Sequence, residues 1–160
     1  MTPPVVTPLQ DRFWRACEDV ILRHSNPWEL DEALVAFGYG IGPCAAQDLV
    51  GLDVVLAARG VGAAPTPVLS RMVNEGRLGR RVGWGFYRYP GGGGAVVDPL
   101  IEDLVREEAW FAKLARDECE GAALVTLVHG QVATALRACP QAAVVELGYP
   151  AVRVVDLIET

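Results

Sequence analysis

Proline and glycine cut this chain into short apolar segments of helical period, and that punctuation constrains its fold more than any other feature. Asn26-Pro27-Trp28-Glu29 is the clearest case. Asn26 can cap, Pro27 suits the first helical position, and Glu29 stands where it can return a hydrogen bond to the cap. Leu30, Ala33, Leu34 and Phe37 follow at helical spacing and stop at Gly38. Ahead of them, residues 10–24 place Phe13, Cys17, Val20 and Ile21 on one face. The spacing predicts a helical hairpin behind an N-terminal tail, residues 1–9.

Beyond a breaker cluster of Gly38, Gly40, Gly42 and Pro43, residues 44–58 read as a helix kinked or broken at Gly51. Residues 60–67 read as loop, and 68–75 as a short helix closed by Gly76. The period then changes. Residues 83–89, Gly-Trp-Gly-Phe-Tyr-Arg-Tyr, alternate small or polar with aromatic residues and predict a short extended segment, followed by a Gly-rich loop over 91–97. Asp98-Pro99 is a second cap with first-position proline, opening a helix expected to run to about Arg116. Residues 120–138 are apolar nearly all round, the pattern of a helix sandwiched inside the protein or in a subunit contact. Leu22-Arg23, Pro27 and Gly38-Tyr39 are echoed by Leu136-Arg137, Pro140 and Gly148-Tyr149, as though one helix-turn-helix unit occurred twice. These elements add up to an all-α helical bundle of two degenerate repeats, over residues 10–90 and 98–160.

Charge and cysteine usage exclude several function classes. With 14 basic against 20 acidic residues the net charge is −6, the wrong sign for a nucleic-acid backbone. There is no apolar run long enough for a membrane span, and Cys17, Cys44, Cys119 and Cys139 form no Cys-x-x-Cys or Cys/His cluster, so no metal site is expected. A soluble, cytoplasmic chain with buried, reduced thiols is the expectation. At 51% hydrophobic residues, more apolar surface is present than one small core hides, which points to a partner.

Candidates for chemistry are few. Gly38-x-Gly40-x-Gly42 and Gly91 to Gly94 lack the strand, spacing and helix that cradle a pyrophosphate. His24 at a helix end and His129 in an apolar helix have no carboxylate spaced to orient them, so structural roles are favoured for both. Most carboxylates sit where caps and solvated faces want them, but Asp48 and Asp53 flank Leu49-Val50-Gly51-Leu52 in an apolar stretch. At least one of them should tie a helix end or an arginine.

Asp31-Glu32-Ala33-Leu34 through Gly42-Pro43, and Asp48-Leu49-Val50-Gly51-Leu52-Asp53, resemble the C-terminal helical domain of 3-hydroxyacyl-CoA dehydrogenases. Met72 through Tyr89 resembles that domain's run of glycines and aromatics, so the resemblance covers residues 26–90 in order, with Asp48, Gly51, Asp53, Gly83 and Gly85 as its motif positions. Residues 98–160 are similar, more faintly, to the second copy of the domain in multifunctional β-oxidation enzymes. There His129-Gly130 replaces an Asn-Glu pair, and residues 152–157 stand in place of a Gly-Gly. The resemblance implies that NAD and the His-Glu pair belong to a separate Rossmann domain, to which nothing here corresponds. It also implies a junction asparagine, where this chain has the stretch from Pro3 to Pro8 with Thr7.

On this reading the chain holds no catalytic residue and no cofactor, NAD entering only with a Rossmann partner. It acts by packing, as a homodimer surface or as one wall of an acyl-CoA pocket. Two alternatives stand beside this. One is a subunit of a split dehydrogenase completed in trans. The other is a binder of acyl-CoA or another small molecule in a cleft between Gly42-Pro43 and Trp84, Phe86 and Tyr87, although ordinary core packing is favoured for those aromatics.

Overall fold

The computed structural model describes residues 6–59 and 64–159. Residues 60–63 of the expected loop and the first five residues of the tail lie outside the described residues. The fold is all-α with one minimal hairpin of strands. Helix α1 is Pro8–His24, two residues longer than the sequence suggests, because Thr7 caps it. The Thr7 hydroxyl accepts from the Gln10 N–H at 3.1 Å while Gln10 Oε1 accepts from the Thr7 N–H at 3.0 Å. Helix α2, Pro27–Phe37, opens at the expected cap, with Asn26 Oδ1 accepting from the Glu29 N–H at 2.9 Å, but the expected return bond from the Glu29 side chain does not form among the described residues. Gly51 divides the expected long helix into α3, Pro43–Val50, and α4, Leu52–Ala57. Helix α5 is Pro67–Asn74.

The extended segment is shorter than expected. Only Tyr87–Arg88 forms a strand, β1, and it pairs antiparallel with β2, Val96–Val97, inside what the sequence presents as loop. Helix α6, Pro99–Phe111, stops well before Arg116. Lys113 takes the left-handed conformation at φ 58°, and the Leu114 N–H closes on the Ala109 carbonyl at 2.9 Å. Lysine in that role leaves no glycine to mark the stop.

Helix α7, Ala122–Ala138, is not enclosed by this chain on all sides. Leu124, Val125, Val128, Val132 and Leu136 are buried, while Thr126, Gly130, Gln131 and Arg137 are exposed. Small residues let one narrow stripe do the packing. Helix α8, Pro140–Ala142, runs into a wide turn, Ala143–Leu147, and α9 is Val154–Ile158. The two echoed Gly-Tyr pairs meet in space: the Gly40 N–H donates to the Gly148 carbonyl at 3.2 Å, and the rings of Tyr39 and Tyr149 lie edge to face at 5.6 Å. Helix α1 packs on both α6 and α7, so the two halves share one core.

The end of α1 is also tied by a charged side chain to the segment between α6 and α7. Arg116 donates through Nη1 to the carbonyls of Ile21 and Leu22 and through Nη2 to that of Ser25, closing the C-terminal end of α1. Among the thiols, Cys17 and Cys44 are buried as expected and Cys119 is half-buried. Cys139 departs from expectation: it is exposed where α7 gives way to α8. Among the described residues no helix is long and apolar enough to cross a membrane.

Candidate functional site

Two buried aspartates organise the region that the sequence singles out. Helix α3 begins with Gly42 and Pro43, neither of which offers a capping side chain, so its free N–H groups need a borrowed acceptor. Asp31 of α2 supplies it. Asp31 Oδ1 accepts from the Cys44 N–H at 2.8 Å and Oδ2 from the Ala45 N–H at 3.0 Å. Its carboxylate fills the volume where Gly42 would carry a β-carbon, so only glycine fits there.

At the far end of α3, Asp48 reaches across to the aromatic strap. Its Oδ1 accepts from the Phe86 N–H at 2.9 Å, and its Oδ2 from the Tyr87 N–H at 3.1 Å and the Tyr89 hydroxyl at 2.6 Å. Gly85 allows that approach, since a β-carbon there would coincide with Asp48 Oδ1. Tyr87 joins the two carboxylates, because its hydroxyl donates to Asp31 Oδ2 at 2.7 Å. Burial raises both aspartates to about 6 despite three donors each, desolvation outweighing the hydrogen bonds. Asp53 ties an arginine as expected of at least one of this pair, meeting the exposed Arg81 at 2.7 Å, whereas Asp48 holds the strap and not a helix end or an arginine.

The sequence does not reveal a third borrowed cap. Glu18 of α1 is buried, and its oxygens accept from the first-turn N–H groups of Val68 and Leu69 at 3.2 and 3.0 Å, serving α5, which has no cap of its own. Burial pushes its carboxyl up to about 7. An indirect signal existed only at Gly42, which has no capping side chain; Thr66 is a residue type that can cap but makes no cap hydrogen bond here, so nothing in the sequence pointed to Glu18.

The two candidate walls are brought together, but by protein. Pro43, Phe86 and Tyr87 are buried. Trp84 keeps 39% of its surface and stacks with Arg77 at 4.2 Å, while Arg77 pairs with the buried cap Asp98 at 2.9 Å. Gly83 turns the chain into the strap, and the Tyr89 N–H returns to its carbonyl at 2.9 Å.

Both imidazoles have structural partners. His24 Nδ1 lies 2.7 Å from the Asp117 carbonyl. His129 Nε2 lies 2.9 Å from the Tyr39 hydroxyl, within a group of rings that includes Phe37 at 4.9 Å and Tyr149 at 5.8 Å. Burial lowers His129 to about 4. Among the described residues no three His, Cys, Asp or Glu side chains gather as metal ligands.

A family profile described as 3-hydroxyacyl-CoA dehydrogenase, C-terminal domain, matches residues 5–89, which include α1, both buried aspartates and the strap. The chain belongs to this family. A peroxisomal fatty acid beta-oxidation multifunctional protein of Oryza sativa subsp. japonica is 32% identical over 93 residues, 54% of this chain and 13% of that protein. The crystal structure of the dehydrogenase part of multifunctional enzyme 1 from C. elegans shares the fold at a TM-score of 0.67 with 19% identity, covering 94% of this chain and 34% of that one. The dehydrogenase-type fold thus extends past the profile into α6 to α9. The chain spans a minor part of each relative's length.

Proposed function

We propose that this domain is the helical, non-chemical part of a 3-hydroxyacyl-CoA dehydrogenase, packing against a dinucleotide-binding unit or a second copy of itself and lending one wall to an acyl-CoA pocket. The observation that carries this reading is that its buried carboxylates are engaged with the protein itself. Asp31 and Glu18 cap helices, Asp48 pins the strap, and His129 is held by Tyr39. Groups whose lone pairs are so committed are poorly placed to orient on a reacting substrate atom.

The close approaches at glycine support leaving NAD to the other unit. A pyrophosphate is bound where glycine lets backbone N–H groups come near. Here the space beside Gly42 and Gly85 is filled by the carboxylates of Asp31 and Asp48, which carry the wrong charge. These residues do not fit a dinucleotide. Exposed apolar residues support a partner: Trp110 is 76% exposed and Phe111 63%, their rings edge to face at 5.5 Å.

The test is reconstitution. The chain is mixed with a dinucleotide-binding unit of a 3-hydroxyacyl-CoA dehydrogenase that lacks its own helical domain, and oxidation of NADH by acetoacetyl-CoA is followed. Turnover is expected in the mixture and in neither component alone, with a complex seen by light scattering. A mixture that neither associates nor turns over contradicts the reading.

A further inference from the structure

A cleft of about 330 Å³ opens beside α1, well away from the strap. It is lined by Arg12, Arg15 and Glu18 of α1, by Thr66 ahead of α5, and by Gln131 of α7. Arg12 and Arg15 stand one helical turn apart on the same side. Arg15 is held from two directions: its Nε donates to Asp11 Oδ2 at 2.9 Å and its Nη1 to the Ala64 carbonyl at 2.9 Å. Its Nη2 has no hydrogen-bond partner among the described residues, and Arg12 has neither a hydrogen bond nor an ion pair among them. Two guanidinium groups with spare donors in one opening run against the charge of a chain whose net is −6.

Glu18 lines the same cleft but is only 7% exposed. The charged groups acting on it are Arg59, which follows α4 and pairs with Asp11, and Arg15 on its own helix. Asp19 and Arg12 share its cleft, α5 presents the backbone N–H groups of Val68 and Leu69, and α7 presents the neutral Gln131, whose amide donates to Asp19 Oδ2 at 2.9 Å. A carboxylate whose charge is already disfavoured by burial, set beside the free guanidinium of Arg12 and the spare Nη2 of Arg15, is arranged so that an incoming anion and a proton help each other.

We propose that this cleft binds a small molecule with an oxyanion end, which Arg12 forks and Arg15 meets through its spare Nη2 while Glu18 takes up a proton. The planar guanidinium groups suit a carboxylate or a phosphate alike. The step is an acid–base association: one proton passes from solvent to Glu18, and no covalent bond to the ligand forms.

Sulfate is the probe of choice, because it stays doubly charged between pH 6 and 8 and any pH dependence therefore belongs to the protein. It is titrated into the isotope-labelled chain at constant ionic strength, following the amide signals of Thr66, Val68 and Leu69. Saturable shifts with a dissociation constant on the order of millimolar are expected, about tenfold tighter at pH 6 than at pH 8. Arg12→Gln, on an exposed and unpartnered side chain, should weaken binding about fivefold or more without moving the melting temperature. Glu18→Gln should bind with the same affinity at both pH values. Succinate in a parallel titration separates carboxylate from tetrahedral-oxyanion ligands, tighter binding of either assigning the class. The absence of saturation by about 50 mM, or an Arg12→Gln variant that binds as well as the parent, overturns the site. A pH-independent parent affinity overturns the role of Glu18, a result readable even if Glu18→Gln fails to fold.

Discussion

Replacing Asp48 with alanine is expected to lower the stability of the fold by about 3 to 5 kcal/mol, read as a reduced midpoint in urea unfolding. The carboxylate accepts from the Phe86 and Tyr87 N–H groups and from the Tyr89 hydroxyl, and all three donors belong to buried residues. Alanine leaves these donors without an acceptor in an apolar surround, and each costs about 1 to 3 kcal/mol, reduced where relaxation or water reaches it. Asp48→Asn keeps one acceptor oxygen for the Phe86 N–H and presents an amide to the Tyr87 N–H, so an intermediate loss of about 1 to 2 kcal/mol is expected. An Asp48→Ala variant within about 1 kcal/mol of the parent would mean that the strap is held by ring packing and not by this carboxylate.

Acidification from pH 8 to about pH 5 is expected to stabilise the fold, opposite to the usual behaviour of a protein with paired carboxylates. Burial holds Glu18 at about 7 and Asp31 and Asp48 at about 6, against ordinary values of 4.5 and 3.8. The folded chain therefore binds more protons than the unfolded chain in that window. Stability from these groups is fully present below the unfolded values and is lost as pH rises through the folded ones, by about 1.4 kcal/mol per pH unit for each group that is titrating.

His129 works the other way. Its folded value of about 4 lies below the ordinary 6.5, so its contribution is present above pH 6.5 and is lost as pH falls toward 4. One histidine opposes three carboxylates, so the carboxylates prevail throughout the window and stability from these four groups goes on rising to about pH 4. Melting temperatures across pH 4 to 8 test this, and Glu18→Gln should flatten the upper part of the profile. A profile that peaks between pH 7 and 8 would contradict the burial of these carboxylates.

What the sequence disclosed and what it hid divide along the range of the interactions. Asn26-Pro27 and Asp98-Pro99 were readable because the cap and its donor are neighbours in the chain, and both caps form as read. Gly51 marked a break in the same local way. Asp31 and Glu18 were not readable, since their donors lie 13 to 56 positions away and only the fold brings them together. The β2 strand was hidden for a related reason: two exposed valines after four glycines carry no alternation, and only pairing with Tyr87–Arg88 makes Val96–Val97 a strand. The aromatics of the strap were legible as a group. Their division into buried Phe86, Tyr87 and Tyr89 and half-exposed Trp84 depends on Asp48 and Arg77, which reach the strap from outside it.

The family resemblance reached further than local patterns did, because it carries the order of the motif from Asp31 to Tyr89 across tertiary contacts that a window of residues cannot see. The profile match over residues 5–89 and the shared fold over 94% of the chain bear out that reading of family and fold class.

The proposed division of labour has this helical chain brace and assemble while dinucleotide chemistry resides elsewhere. Equilibrium dialysis of NAD against the purified chain at high micromolar concentration addresses that claim most directly. The prediction is an equal dinucleotide concentration on both sides of the membrane. Retention of about one NAD per chain, displaced by NADH, would contradict it.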